Sequence, residues 1–212
     1  MFKSINKNTL IAGLFFFCVL YSLFVMRPFR SAMAAQIGTS DLTYFLLIVV
    51  LVMLLANPIY SLIVSRVKES RLVTYIYGFF ILNLFLYASI NNLYPDNYAV
   101  GVSFYIWYNV FNFFVVSVFW AKTVNSFQTN DSKKYFGVIS AFGSAGAWLG
   151  SQSVLLFLAD LPVIAMLCAS VGLTLGIVLS RLLNSVSSDK VESKNSTFLT
   201  ELSEQFIQIK SI

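Results

Sequence analysis

Two arginines, Arg27 and Arg30, stand three residues apart in FVMRPFRSAMA, residues 24–34, where a long apolar run ends. A guanidinium is always charged and presents a planar fork of donors that fits carboxylate or phosphate oxygens. If a helix continues past Pro28, the spacing puts both on one face and makes a two-cation site for an anion. The alternative is that both side chains snorkel to lipid headgroup phosphates. A second equipped stretch is YIWYNVFN, residues 105–112, where Tyr105, Tyr108, Asn109 and Asn112 recur at helical spacing and share a face. In an apolar segment such a face needs a polar neighbour or a wet cavity. Tyr105, Asn109 and Asn112, with Arg27 and Arg30, are therefore the candidate solute-binding residues.

Other chemistries lack their residues. The chain has no histidine, and its two cysteines, Cys18 and Cys168, fall in different apolar runs without disulfide or metal-ligand spacing. No metal site, no cofactor and no nucleophile-base machinery is expected, and the chain does not read as an enzyme. GSAGAWLG, residues 143–150, lacks the Lys-Ser/Thr of a phosphate-binding loop.

The elements that must hold these residues follow from composition. Of 212 residues 58% are hydrophobic and 11% charged, with mean hydropathy +0.79. A water-facing domain carries about a quarter charged residues. Here the apolar residues gather into segments at 10–28, 42–64, 72–92, 98–121, 135–158 and 162–183. Each is near the ~20 residues that a helix needs to cross ~30 Å of hydrocarbon. Runs such as FLLIVVLVMLLA do not alternate, which excludes barrel strands. The expected fold is an all-α polytopic membrane protein with six transmembrane helices in residues 1–183.

Orientation follows from the basic residues, 12 of 14 of which lie in the N-terminal tail, the second and fourth connections and the C-terminal tail. Both termini are then cytoplasmic, in a multi-pass protein of the cell's inner (plasma) membrane. The net charge of +5 serves topology, and no nucleic-acid partner is implied. Only Arg27 and Arg30 stand on the other side.

Within the segments, Gly143, Gly146 and Gly150, and Gly172 and Gly176, have the spacing that lets helix backbones approach closely, or a hinge form. Pro58 removes a backbone donor and should kink its helix, leaving a carbonyl for Asn57 or a neighbour to satisfy. Residues 184–212 open with the polar linker NSVSSDKVESKNS. A stretch with Leu199, Leu202, Phe206 and Ile209 at helical spacing follows, read as a cytoplasmic amphipathic helix that stops before a seventh span. A truncated product, a fragment or one part of a split transporter is expected.

Six helices with both ends inside and a basic second connection resemble the N-terminal half of a major facilitator superfamily transporter. In YSLIVSRVKESRL, Arg66 and Arg71 match the superfamily's signature loop, while Ser61 and Ser65 stand where Gly and Asp are usual. FFCVLYSLFVMRPFRSAMAAQIGTS and VVSVFWAKTVNSFQTNDSKKYFGVISAFGSAG more closely resemble the ATP/ADP translocase branch, in its first helix and its fourth-to-fifth helix stretch. The resemblance implies an MFS-like half bundle that moves a small solute, an organic anion or nucleotide, by alternating access. Its partner would be a C-terminal half or a second copy. The basic residue that acts on nucleotide in that branch maps to Arg30. The branch also has a functional glutamate near the place of Asn109, so the substrate stays open. The contrasting expectation is a non-transporting six-helix protein, either a homodimeric scaffold or a truncated remnant.

The distribution of basic residues predicts that single cysteines at Asn92 and at Lys133, in a background without Cys18 and Cys168, react with an impermeant thiol reagent from opposite sides. Equal labelling of both in intact cells contradicts this topology.

Overall fold

The structure, a computed structural model, describes residues 7–37, 39–94, 97–124, 126–127 and 132–183. The linker and the amphipathic stretch with Leu199, Leu202, Phe206 and Ile209 lie outside the described residues. Among the described residues there are six α-helices and no strand: α1 Lys7–Ile37, α2 Thr39–Arg66, α3 Glu69–Leu93, α4 Tyr98–Val124, α5 Ser132–Ser153 and α6 Pro162–Leu182. All six are long and apolar enough to cross a membrane. The short connections make consecutive helices reverse direction. We call the two ends of the bundle the Lys7 end and the Asn97 end.

Three details depart from or refine the sequence reading. α1 does not stop near Pro28 but runs on to Ile37. Proline's fixed φ suits a helix, and its missing N–H costs one bond, to the carbonyl of Phe24. The following SAMAAQ is rich in good helix formers. α2 likewise runs through Pro58 to Arg66, and Asn57 donates its side-chain amide to the carbonyl of Met53 at 2.9 Å. The carbonyl that Pro58 leaves without its helical donor is that of Leu54, the next residue. α5 ends in a π-helical turn, Val154–Leu158, before Pro162 opens α6.

α1 is the central helix. Over half of its apolar window, 56%, is buried, against 6% of that of α2, which lies at the periphery. α1 packs most extensively on α5, then on α6 and α4. Small residues explain this order. A Cβ at Gly143 would strike Phe16, one at Gly146 the backbone of Phe17, and one at Gly150 the Tyr21 carbonyl. α6 meets α1 in the same way at Gly172, where a Cβ would strike the Ser22 hydroxyl. Lipid is as apolar as a leucine side chain, so such close meshing and interhelical hydrogen bonds have to hold the helices together. Ser22 Oγ donates to the Ala169 carbonyl at 2.9 Å, joining α1 to α6, and Tyr77 Oη to the Val115 carbonyl at 2.9 Å, joining α3 to α4.

The packing has an internal exchange. α1 packs on α5 as α4 does on α2; α1 packs on α6 as α4 does on α3; the α1–α4 and α3–α6 contacts map onto themselves. Exchanging α1–α3 with α4–α6 therefore preserves these pairings, though not the α1–α2 contact, while every helix changes direction. The ends of exchanged helices lie 87–93 residues apart; Leu182 ends α6 as Leu93 ends α3, 89 residues apart, and an offset of 89 also pairs Tyr105 with Phe16 and Phe119 with Arg30. In that register the stacked Phe16–Phe119 rings, 4.3 Å between centroids, and the Arg30–Tyr105 contact occupy corresponding places along the α1–α4 seam.

Gly146→Ala should destabilise the purified protein by about 1–3 kcal/mol, the range for an overpacked core. Gly78→Ala, where a Cβ meets nothing within 4 Å, should leave stability equal or slightly higher. Thermal unfolding in one detergent compares them, and equal effects would contradict the packing described.

Candidate functional site

The site is built where α1 and α4 meet towards the Asn97 end. α1 brings Arg30 there because its helix survives Pro28. The guanidinium carbon of Arg30 lies 4.8 Å from the centroid of the Tyr105 ring on α4. Tyr105 is buried, at 2% exposure, so the ring is a fixed platform for the cation. A cation held over an aromatic face is worth about 0.5–2 kcal/mol, more as water is removed. Nε of Arg30 is buried and has no hydrogen-bond partner. Arg30 is thus held by its face, with a donor unspent.

Arg27 is placed differently. Its guanidinium carbon lies 5.1 Å from the ring of Phe24 on its own helix, and the residue is exposed. Both guanidiniums are near enough to Tyr108 to interact with it electrostatically. Tyr108 Oη donates to the Leu23 carbonyl at 2.9 Å, tying α4 to α1 one turn before Arg27. Arg27, Arg30, Tyr105 and Tyr108 therefore form one neighbourhood.

The asparagines divide. Asn109 is half-buried and donates its Nδ2 to the Tyr105 carbonyl at 2.7 Å, so its Oδ1 remains as an acceptor beside the tyrosine pair. Asn112 is exposed, two turns from Tyr105 and roughly 10 Å along the helix. The α5 glycines Gly143, Gly146 and Gly150 lie along the α1–α5 contact and contribute to packing, whereas Asn57 and Pro58 are exposed in α2, with Asn57 bonded within its own helix.

Two residues matter more than the sequence reading allowed. Tyr108 was legible as a member of the polar face, but its partner is a backbone carbonyl, which leaves no trace in a sequence. Ser22 offered no signal; a lone serine in an apolar run usually bonds within its own helix, and here it also reaches Ala169. Beyond the arginine, towards the Asn97 end, a pocket of about 30 Å³ is lined by Phe29, Met33, Asn91, Asn97 and Phe104. It is large enough to hold a water.

Chemically the arrangement offers two cations, an aromatic platform and amide and phenol groups. That set suits recognition of an anion by hydrogen bonds and charge. No protein-family model, curated protein or solved structure matches the chain.

Tyr108→Phe should destabilise the protein by about 0.5–1.5 kcal/mol through loss of the bond to Leu23. Unfolding of the variant in detergent measures this; a stability equal to that of wild type would show that the phenol does not tie α4 to α1.

Proposed function

We propose that this bundle is one six-helix half of a major facilitator-type secondary transporter that moves a small anionic organic solute by alternating access. The observation that carries the reading is the exchange of α1–α3 with α4–α6, which preserves the main helix pairings while reversing every helix. Inverted repeats of three helices are a hallmark of such transporters, whose sites lie at the repeat interface. Arg30 and Tyr105 come from α1 and α4, the two helices that the exchange relates, and so stand at that interface.

In this reading Arg30 is the anion receptor. Tyr105 holds the guanidinium plane, leaving its N–H groups to bind carboxylate or phosphate oxygens, and exposed Arg27 adds charge on the approach. The 12 basic residues outside this pair support an orientation with both termini in the cytoplasm and Arg27 and Arg30 towards the outer leaflet. The second wall of the solute path is another bundle, either a C-terminal half or a second copy, against which this one rocks. α2 has little contact with its own bundle and leaves an apolar face available for that wall. The resemblance of residues 16–40 and 115–146 to ATP/ADP translocases supports the same class.

The test is uptake of labelled organic anions, nucleotides included, by cells that carry the protein with its partner bundle, with membrane abundance measured in parallel. Arg30→Gln should weaken apparent affinity roughly ten- to a hundredfold, since a hydrogen bond to a charged group contributes about 1.5–3 kcal/mol. Arg27→Gln should act in the same direction. Unchanged affinity and rate in the double substitution would make the pair an interfacial anchor and remove the anion site.

A further inference from the structure

Among the described residues four buried polar side-chain atoms have no hydrogen-bond partner: Thr9 Oγ1, Arg30 Nε, Trp107 Nε1 and Thr123 Oγ1. Three of them belong to the α1–α4 seam, Arg30 towards its Asn97 end and the two threonines towards its Lys7 end. The stacked rings of Phe16 and Phe119 place the threonines. Thr9 lies seven residues before Phe16 on α1, and Thr123 four residues after Phe119 on α4. At about 100° and 1.5 Å per residue, each falls within about 40° of the stacked residue on its own helix, and roughly 10 and 6 Å beyond the stack. Both face the seam, and both are buried at 0% exposure.

Other hydroxyls of the bundle reach a carbonyl one turn back. Ser126 donates to Lys122, Ser170 to Met166 and Thr174 to Ser170, all at 2.8–2.9 Å. Thr123 leaves the Phe119 carbonyl alone, and Thr9, in the first turn of α1, has no helical carbonyl four residues behind it. An orphaned buried polar group has three explanations: an ordered water, an ion, or stored strain. Neither oxygen has a water-sized space against it, so in this conformation strain is the explanation. Each hydroxyl carries its full desolvation cost while the seam is shut, and loses it when water enters. Lys122, 6% exposed and one residue before Thr123, places a buried cation at the same end, where hydration favours opening further.

We propose that the Lys7 end of the α1–α4 seam is a gate held shut under strain. Parting the first two turns of α1 from the last turn of α4 hydrates Thr9 and Thr123. The layer of Phe15, Phe16, Phe119 and Trp120, with ring centroids 4.3–5.3 Å apart, stops the water there. Beyond that layer the bond from Tyr108 to the Leu23 carbonyl keeps the two helices together. In the proposed transporter this gives the end opposite Arg30 an opening step of its own, but the gate rests on the buried hydroxyls and not on the anion reading.

The full chain, in a background without Cys18 and Cys168, is placed in lipid nanodiscs, and alkylation by N-ethylmaleimide is timed at one reporter cysteine on the seam. Thr9→Cys is compared with and without Thr123→Val, and Thr123→Cys with and without Thr9→Val. Valine keeps the shape of threonine and removes the orphaned oxygen, so it should slow alkylation of the facing cysteine about tenfold, the fold-change equivalent of one orphaned hydroxyl. Thr9→Val with Thr123→Val, without a reporter, should raise the thermal midpoint, whereas serine at either position, which keeps the hydroxyl, should not slow the facing reporter. Thr174→Val, which removes a bonded hydroxyl, should slow neither reporter and should not raise the midpoint. Were the two hydroxyls satisfied, valine would break a bond. Alkylation that is unchanged or faster with valine, a lowered midpoint in the double variant, or equal slowing by Thr174→Val would each overturn the proposal.

Discussion

At Gly146 the α5 backbone lies so close to α1 that a Cβ would strike the Phe17 carbonyl, and at Gly172 α6 lies equally close to Ser22. The other contacts inherit their geometry from this double approach. Between apolar helices in an apolar solvent, meshed surfaces and a few interhelical hydrogen bonds supply the attraction. Both are short-ranged, so removing a side chain from the seam is what allows them. Once α1 is seated between α5 and α6, Phe15 and Phe16 are delivered to Phe119 and the Leu23 carbonyl to Tyr108. Arg30, two turns further along α1, then falls over Tyr105.

The exchange that relates the two helix triplets is not matched in tightness. α5 carries three glycines against α1, whereas α2, its counterpart against α4, carries Asn57 and Pro58 and meets α4 chiefly through Tyr60 on Phe113 and Phe114. One side of the bundle is therefore locked and the other loosely held. The seam shows a second asymmetry. Where the Lys7 end has a ring on a ring, Phe119 on Phe16, the Asn97 end has a guanidinium on a ring. An arginine in the place of an aromatic keeps the stacking but exchanges inert packing for charge, which is the change a recognition site needs.

The sequence carried the elements well and the pairings poorly. The segment starts at 98 and 162 coincide with the first residues of α4 and α6, because polar and proline signals mark them. The first segment was cut at 28 since Pro28 and two charges mark an end in composition. The backbone loses only one hydrogen bond there, and the alanine-rich continuation favours helix, so α1 goes on. The α5 and α6 glycines were legible as a packing stripe. That both stripes press on α1 was not, because helix pairing is decided by shape complementarity between residues more than a hundred positions apart. The polar face of α4 was legible as a face, but its covering was not. The guanidinium of Arg30 reaches over Tyr105, and Asn112, two turns on, lies beyond its reach.

The α1–α4 seam joins the inverted triplets and holds the arginine, and thiol cross-linking tests it most directly. In a background without Cys18 and Cys168, cysteine pairs replace Phe16 with Phe119, Arg30 with Tyr105, and Phe16 with Tyr105, and each is treated with a short bifunctional thiol reagent in native membranes. The account predicts rapid linking of the first two pairs and none of the third, since Phe16 and Tyr105 lie towards opposite ends of the seam. Linking of Phe16 to Tyr105, or failure of both predicted pairs, would contradict the register and with it the repeat interface on which the functional reading stands.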